Sequence, residues 1–188
     1  MASNSPKDSH SRRIVDESLL SMCMQGDRSA QRNLYTICHP QVSRIATKMV
    51  GRQDAGDVVQ QTFMRLFQKL ETYAGESKFE TWLYRLAVNE ALQHLRRRSR
   101  REFQSLVVEP MSRNMSIEES RIDREFIDTA IQRLAPELRA VLALKEIESK
   151  SYEEIAEIVG IPVGTVGSRL NRARRELRQH LLELGWEP

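Results

Sequence analysis

Several protein classes are excluded by what the sequence lacks. Only Cys23 and Cys38 occur among 188 residues, too few for the disulfide framework of a small secreted domain. No apolar run approaches the ~18 residues needed to span a bilayer. The opening stretch, Met1 to His10, holds no hydrophobic segment of the signal-peptide kind. A soluble protein of a reducing, cytoplasmic compartment is expected. Glycine (8), proline (6) and aromatic residues (6%) are scarce, while Arg, Glu, Leu and Ala abound, a balance that favours an all-α fold. His10, His39, His94 and His180 are scattered, with no paired carboxylates or metal-ligand spacing around them. No enzyme, metal or cofactor is therefore expected, and the two thiols read as packing. A strong charge excess is missing too. The 29 Lys and Arg against 26 Asp and Glu leave +3, so any nucleic-acid binding must come from local clustering.

What is present is helical patterning in two blocks. Residues 1–13 are polar and aperiodic, the pattern of a disordered tail. Asp16 is placed to cap a helix carrying Leu19, Leu20 and Met22. Gly26-Asp27 ends it, and Ser29 is the expected start of a second helix with Leu34, Ile37, Val42, Ile45 and Met49. Pro40 predicts a kink or break within it. Gly51 to Gly56 reads as a turn, with Asp57 capping a helix to Leu70 on which Val59, Phe63, Leu66 and Leu70 recur at helical spacing. A loop over 72–77 leads to a helix from about Glu80 to Arg100, with Leu83, Leu86, Ala87, Ala91 and Leu95 on its buried side. Pro110, Ser112, Asn114 and Ser116 break all periodicity, so 102–118 reads as a flexible linker. It splits the chain into two small helical domains, 14–101 and 119–188. Helices are expected in the second over 120–133, 136–147, 151–159 and 163–183.

The sharpest local signal lies at 152–166. Ile155 and Val159 face inward, and Ala156 is small where a second helix crosses. Gly160 supplies a left-handed turn, Pro162 restarts the chain, and Val166 locks the next helix down. That is the pattern of a helix-turn-helix whose second helix suits a major groove. This helix carries Arg169, Arg172, Arg174, Arg175 and Arg178 against Glu176, and keeps Leu170, Ala173 and Leu177 for packing. Gly160, Gly164 and Gly167 do not make a phosphate loop, because no Lys-Ser or Lys-Thr follows.

A second basic feature lies in the first domain. Trp82, Arg85, Asn89, Gln93 and Arg96 share one helix face, leading into Arg97, Arg98, Arg100 and Arg101. A ring, amides and cations together suit unpaired bases: rings stack, amides read edges and arginines hold phosphates. An ordinary core tryptophan with a solvated arginine run at a helix end gives the same pattern. A dimeric helix-turn-helix repressor or activator explains 151–178, but leaves the 82–101 face and the 57–70 helix without a role.

These stretches together carry a resemblance. Asp54–Phe63 resembles the polymerase-binding helix of bacterial sigma factors, Phe79–Asn89 their promoter-melting segment, and Ser151–Arg174 their region four. With only regions two and four, in that order over about 16–183, the chain is similar to the extracytoplasmic-function (ECF) group. The resemblance implies a non-enzymatic, cytoplasmic initiation factor of stress-response type that acts as a monomer within the holoenzyme, without membrane insertion. Its implied partners are core RNA polymerase (the β′ coiled coil and β flap), promoter DNA and an anti-sigma factor. Asp57, Gln60, Gln61 and Met64 would dock on the polymerase. Lys78, Trp82, Arg85, Asn89, Arg96, Arg97, Arg98, Arg100 and Arg101 would serve the minus-ten element, with Asn89 at a flipped base. Thr165, Ser168, Arg169, Asn171, Arg172 and Arg175 would face the minus-thirty-five groove. Gly56 and Gln61 stand where the family commonly has acids, and Gly167 where it has a basic residue.

Overall fold

The computed structural model describes residues 15–104 and 119–186, so the tail expected over 1–13 and most of the linker expected over 102–118 lie outside the described residues. The expected all-α fold is what forms. Among the described residues the elements are α1 (Glu17–Met24), α2 (Arg28–Val50), α3 (Arg52–Lys69), a 3-10 turn (Leu70–Thr72), α4 (Phe79–Gln104), α5 (Glu119–Arg133), α6 (Pro136–Glu146), α7 (Tyr152–Val159) and α8 (Val163–Glu183). Compactness divides the chain between Cys38 and His39.

In the first unit Asp16 caps α1 as expected, its Oδ1 accepting the Leu19 N–H at 2.7 Å. Leu19, Leu20 and Cys23 are buried. Gly26, at φ +85°, reverses the chain. The cap of α2 is then Asp27 rather than Ser29: its Oδ1 accepts the N–H groups of Ser29 (2.7 Å) and Ala30 (3.1 Å), and a carboxylate at a helix start also meets the dipole. Helix α2 runs unbroken through Pro40 to Val50. The buried residues Leu34, Cys38, Val42, Ile45 and Met49 continue at helical spacing on both sides of the proline, enough to offset one missing backbone bond.

The second unit begins at His39. Gly51, at φ +84°, turns the chain in a single residue, so α3 starts at Arg52 and the expected 51–56 turn is absent. Asp57 is consequently not a cap. Asp54 occupies the first turn, where it complements the helix dipole. The buried face of α3 is Ala55, Val58, Val59, Thr62, Phe63 and Leu66. It packs on α4, where Leu83, Leu86, Ala87 and Ala91 are buried and Leu95 half-buried. A buried charged pair crosses between these helices: Arg65 Nε lies 2.5 Å from Glu90 Oε1.

Helices α5 to α8 start and stop within a residue of the spans expected from the sequence. Leu134, Leu138, Leu142 and Ala173 form a buried cluster with Leu177 against it. Helix α7 opens on a reciprocal cap: Ser151 Oγ accepts the Glu154 N–H at 3.2 Å, and Glu154 Oε2 accepts the Ser151 N–H at 2.9 Å. Gly160, at φ +74°, closes it. Ile155, Ile158, Val166 and Leu170 are buried between α7 and α8, while Val159 is only half-buried. The deep position belongs to Ile158.

Within this unit α4 also packs on α6 and α7, and a buried cation on α6 ties that helix to the end of α2. Arg139 on α6 is 4% exposed. Its guanidinium donates to the Met49 carbonyl at the end of α2, to Gln132 Oε1 (2.8 Å), and to the carbonyls of Gln132 (2.5 Å) and Leu134 (2.9 Å). Burial lowers its pKa to about 10, so it remains a cation at neutral pH.

Candidate nucleic-acid interface

Two helices carry the candidate base-reading residues. On α4, Asn89, Arg96, Arg97, Arg100 and Arg101 are exposed, as is Lys78 just before it. Gln93, Arg96, Arg97 and Arg100 line a shallow depression of about 190 Å³. Trp82 is half-buried, its ring centroid 5.3 Å from that of Tyr73 and 5.8 Å from that of Phe79. Tyr73 donates its hydroxyl to the Ser77 carbonyl at 2.6 Å, which braces the 72–77 loop beneath the rings. Trp82 is thus part of a three-ring cluster rather than a lone platform. Arg98 points elsewhere: its Nη1 lies 3.1 Å from Asp54 Oδ2 on α3, which His94 Nε2 also approaches at 3.1 Å. Arg85 reaches α7, donating to the Glu157 carbonyl at 2.9 Å.

On α8, Ser168, Asn171, Arg172 and Arg175 are exposed, with Thr165 and Arg169 half-buried. Ser168 Oγ donates to the Thr165 carbonyl at 2.9 Å, and Arg172 Nε to Glu176 Oε1 at 2.7 Å. Ser168, Arg169 and Arg172 face Ala135, Glu137 and Leu138 across a cleft of about 340 Å³. Gly167 lies on another side: a Cβ built there meets the Tyr152 ring at 3.5 Å, an ordinary contact. Alanine at 167 restores helix propensity and adds that contact, so Gly167→Ala is expected to stabilise the protein by about 0.5–1 kcal/mol. Urea denaturation checks this, and a lowered midpoint contradicts it.

The four residues expected to dock on polymerase, Asp57, Gln60, Gln61 and Met64, share one exposed face of α3, with Met64 47% exposed.

A further polar cluster escaped the sequence reading. Glu148, in the α6–α7 connection, has a side chain only 4% exposed. Arg44 holds it with two bonds, at 2.8 and 2.9 Å, and the Tyr84 hydroxyl donates to it at 2.5 Å. Burial pushes the Glu148 pKa up, but the Arg44 and Tyr84 bonds outweigh it and hold the carboxyl below its ordinary range. Burial and the same carboxylate push the Tyr84 phenol up. At neutral pH the cluster is therefore a carboxylate, a guanidinium and a neutral phenol. Arg139 had a visible signal: a lone cation inside the apolar run Leu138–Leu144. Arg44 and Glu148, 104 positions apart, had none.

Comparison with known proteins gives a consistent outcome. Sigma-70 region 2 matches residues 34–101, and Sigma-70, region 4 matches residues 124–177. The ECF RNA polymerase sigma-E factor of Haemophilus influenzae is 34% identical over 185 residues, covering 91% of this chain and 97% of that protein. The sigma-E factor of Salmonella typhi is 32% identical over 180 residues, covering 89% and 94%. Among solved structures, the sigma factor RpoE bound to the anti-sigma factor NepR from Bartonella quintana superposes with a TM-score of 0.66 at 26% identity, over 80% of this chain and 95% of that one. CnrH, in complex with the cytosolic domain of CnrY, shares the fold at TM-score 0.66 and 23% identity, over 89% and 96%.

Proposed function

The chain belongs to the ECF group of the sigma-70 family of RNA polymerase sigma factors, and on that footing we propose how its residues divide the work of directing promoter-specific initiation. Region two, 14–101, docks on core polymerase and reads and melts the minus-ten element; region four, 119–188, reads the minus-thirty-five element. Asp57, Gln60, Gln61 and Met64 meet the β′ coiled coil. Asn89 captures a flipped minus-ten base beside the Trp82 cluster, and Lys78, Arg85, Arg96, Arg97, Arg100 and Arg101 supply cations to the adjacent strand, while Arg98 stays with Asp54. Thr165, Ser168, Arg169, Asn171, Arg172 and Arg175 enter the upstream major groove. The observation that carries this reading is the pairing, in one chain, of an exposed amide-and-arginine face on α4 with an arginine-rich second helix of a helix-turn-helix.

The protein acts as a monomer within the holoenzyme, in the cytoplasm, and does no chemistry itself. Among the described residues no helix is long and apolar enough to cross a membrane. An anti-sigma factor holds it in reserve for a stress signal, as the solved complex of the Bartonella sigma factor with NepR suggests by likeness.

Melting sets the energetic roles. Each base-pair step opened costs about 1.4 kcal/mol of stacking, and a captured base returns about 1–3 kcal/mol, so a bubble needs the polymerase as well. Arg172→Ala is expected to weaken upstream binding about 5- to 150-fold, as loss of about 1–3 kcal/mol of base contact does. Asn89→Ala spares holoenzyme binding and slows opening, read by permanganate reactivity of unpaired thymines. Equal binding losses in the two variants would defeat this division. The function itself is tested by adding the protein to core bacterial polymerase with a library of randomised promoters. Transcripts sharing two spaced elements are expected. Absence of stimulation, with binding to a palindrome instead, overturns it.

A further inference from the structure

The depression on α4 offers side-chain donors only, and a residue of α3 makes it so. Gln93, Arg96, Arg97 and Arg100 line it at helical spacing. Arginine carries five N–H donors and no acceptor, so among these side chains only Gln93 could present an oxygen. That oxygen is taken. Arg65 Nη2 donates to Gln93 Oε1 at 3.3 Å, and because a guanidinium can only donate, the amide keeps this bond in one orientation alone. Its NH2 group is left for the depression. Arg65 is itself anchored, its Nε lying 2.5 Å from the buried Glu90 carboxylate. Among the described residues no acid pairs with Arg96, Arg97 or Arg100, whereas Arg98 beside them is taken by Asp54.

A surface made only of donors sorts unpaired bases by where their acceptors lie. Guanine presents two adjacent acceptors, O6 and N7, and cytosine, once unpaired, presents N3 and O2. Adenine sets its N6 amino group between N1 and N7, and thymine sets its N3–H between O2 and O4. Each of these brings a donor against donors. A phosphate accepts on every side and carries no sequence information.

We propose that Gln93, held by Arg65, makes this depression a subsite for an unpaired guanine or cytosine of the melted strand, with adenine and thymine disfavoured. Gln93 determines the specificity, and Arg65 is a positioning residue that acts through it. The proposal deepens the minus-ten role given to α4 and rests on that reading. Two neighbouring acceptors take the Gln93 NH2 group and a guanidinium N–H together, a paired contact of the kind that tells bases apart. The remaining arginines hold flanking phosphates. Without Arg65 the amide is free to turn. Its oxygen then accepts from adenine or thymine, and the sorting is lost although the cations remain.

The test uses the full chain and fluorescein-labelled 12-nucleotide thymine strands, unaltered or carrying one central guanine, cytosine, adenine or 7-deazaguanine. The wild type is expected to bind the guanine or the cytosine strand about tenfold tighter than the adenine and all-thymine strands. Any advantage of guanine is expected to vanish with 7-deazaguanine, which lacks the N7 acceptor. Arg65→Met with Glu90→Leu removes the anchor without stranding a buried charge. It is expected to cut the preference to under about twofold while all-thymine affinity stays within about twofold of wild type. Circular dichroism checks that this variant is folded. Should it be unfolded, Gln93→Leu, which touches no buried charge, carries the same expectations. Equal affinity of the wild type for all four natural strands means that the arginines hold phosphate only, and overturns the proposal. A preference for adenine or thymine does the same, as does a preference that survives in the folded variant. Failure of the wild type to stimulate core polymerase defeats the sigma-factor reading alone, because base preference is read without polymerase.

Discussion

Arg139→Ala is expected to be among the most destabilising single substitutions in the protein, at about 3–5 kcal/mol. The side chain is 4% exposed and its guanidinium serves four acceptors: the Met49, Gln132 and Leu134 carbonyls and Gln132 Oε1. Removing it leaves these oxygens in a site that water enters poorly, each carrying a desolvation cost of about 1–3 kcal/mol that relaxation only partly recovers. It also cuts the tie between the end of α2 and the α5–α6 corner. Lysine is not a substitute, because a single ammonium cannot present a planar fork to acceptors on several sides. Urea denaturation of Arg139→Ala and Arg139→Lys decides the matter. If either variant loses less than about 1 kcal/mol, the site is wetter and less demanding than its burial indicates.

The second large effect is expected at Arg65. Its partner Glu90 is 2% exposed and 2.5 Å away, and Arg65 also donates to Gln93 at 3.3 Å. Arg65→Ala strands a carboxylate between α3 and α4. Because the Arg65 side chain is 38% exposed and water can partly replace it, the loss is set at the low end for a broken buried pair, about 2–3 kcal/mol. Replacing both partners, as Arg65→Met with Glu90→Leu, removes the uncompensated charge and is expected to cost under about 1 kcal/mol. A double-mutant cycle reads the difference. If the pair replacement is as damaging as Arg65→Ala, the loss reflects packing rather than charge.

Both residues show where sequence reading succeeds and where it stops. Helix-turn-helix features are local, so Gly160, Pro162 and Val166 could be placed from spacing alone, and the spans of α5 to α8 followed. Caps were less legible. Asp27 and Ser29 are both good capping residues two positions apart, and only backbone geometry chooses between them. At 51–57 one left-handed glycine did the work expected of six residues, which moved the start of α3 and left Asp57 on the surface. The candidate reading residues lie mostly on exposed faces because helical periodicity fixes which side they occupy. What periodicity cannot do is pair helices. Arg44, Tyr84 and Glu148 meet only through tertiary packing, and each alone passes for an ordinary surface polar residue. Arg98 illustrates the same limit: a member of a basic run by sequence, it turns back to Asp54.

The bond from Arg85 to α7 ends on a main-chain oxygen, and this has a genetic consequence. A carbonyl is encoded by no codon, so that bond survives substitution of Glu157, which removes only the ion pair at 3.5 Å. Codon 85 has no such freedom. Under the role proposed for Arg85 it answers both to the promoter and to the helix beside it, so a change there alters two contacts in a single step.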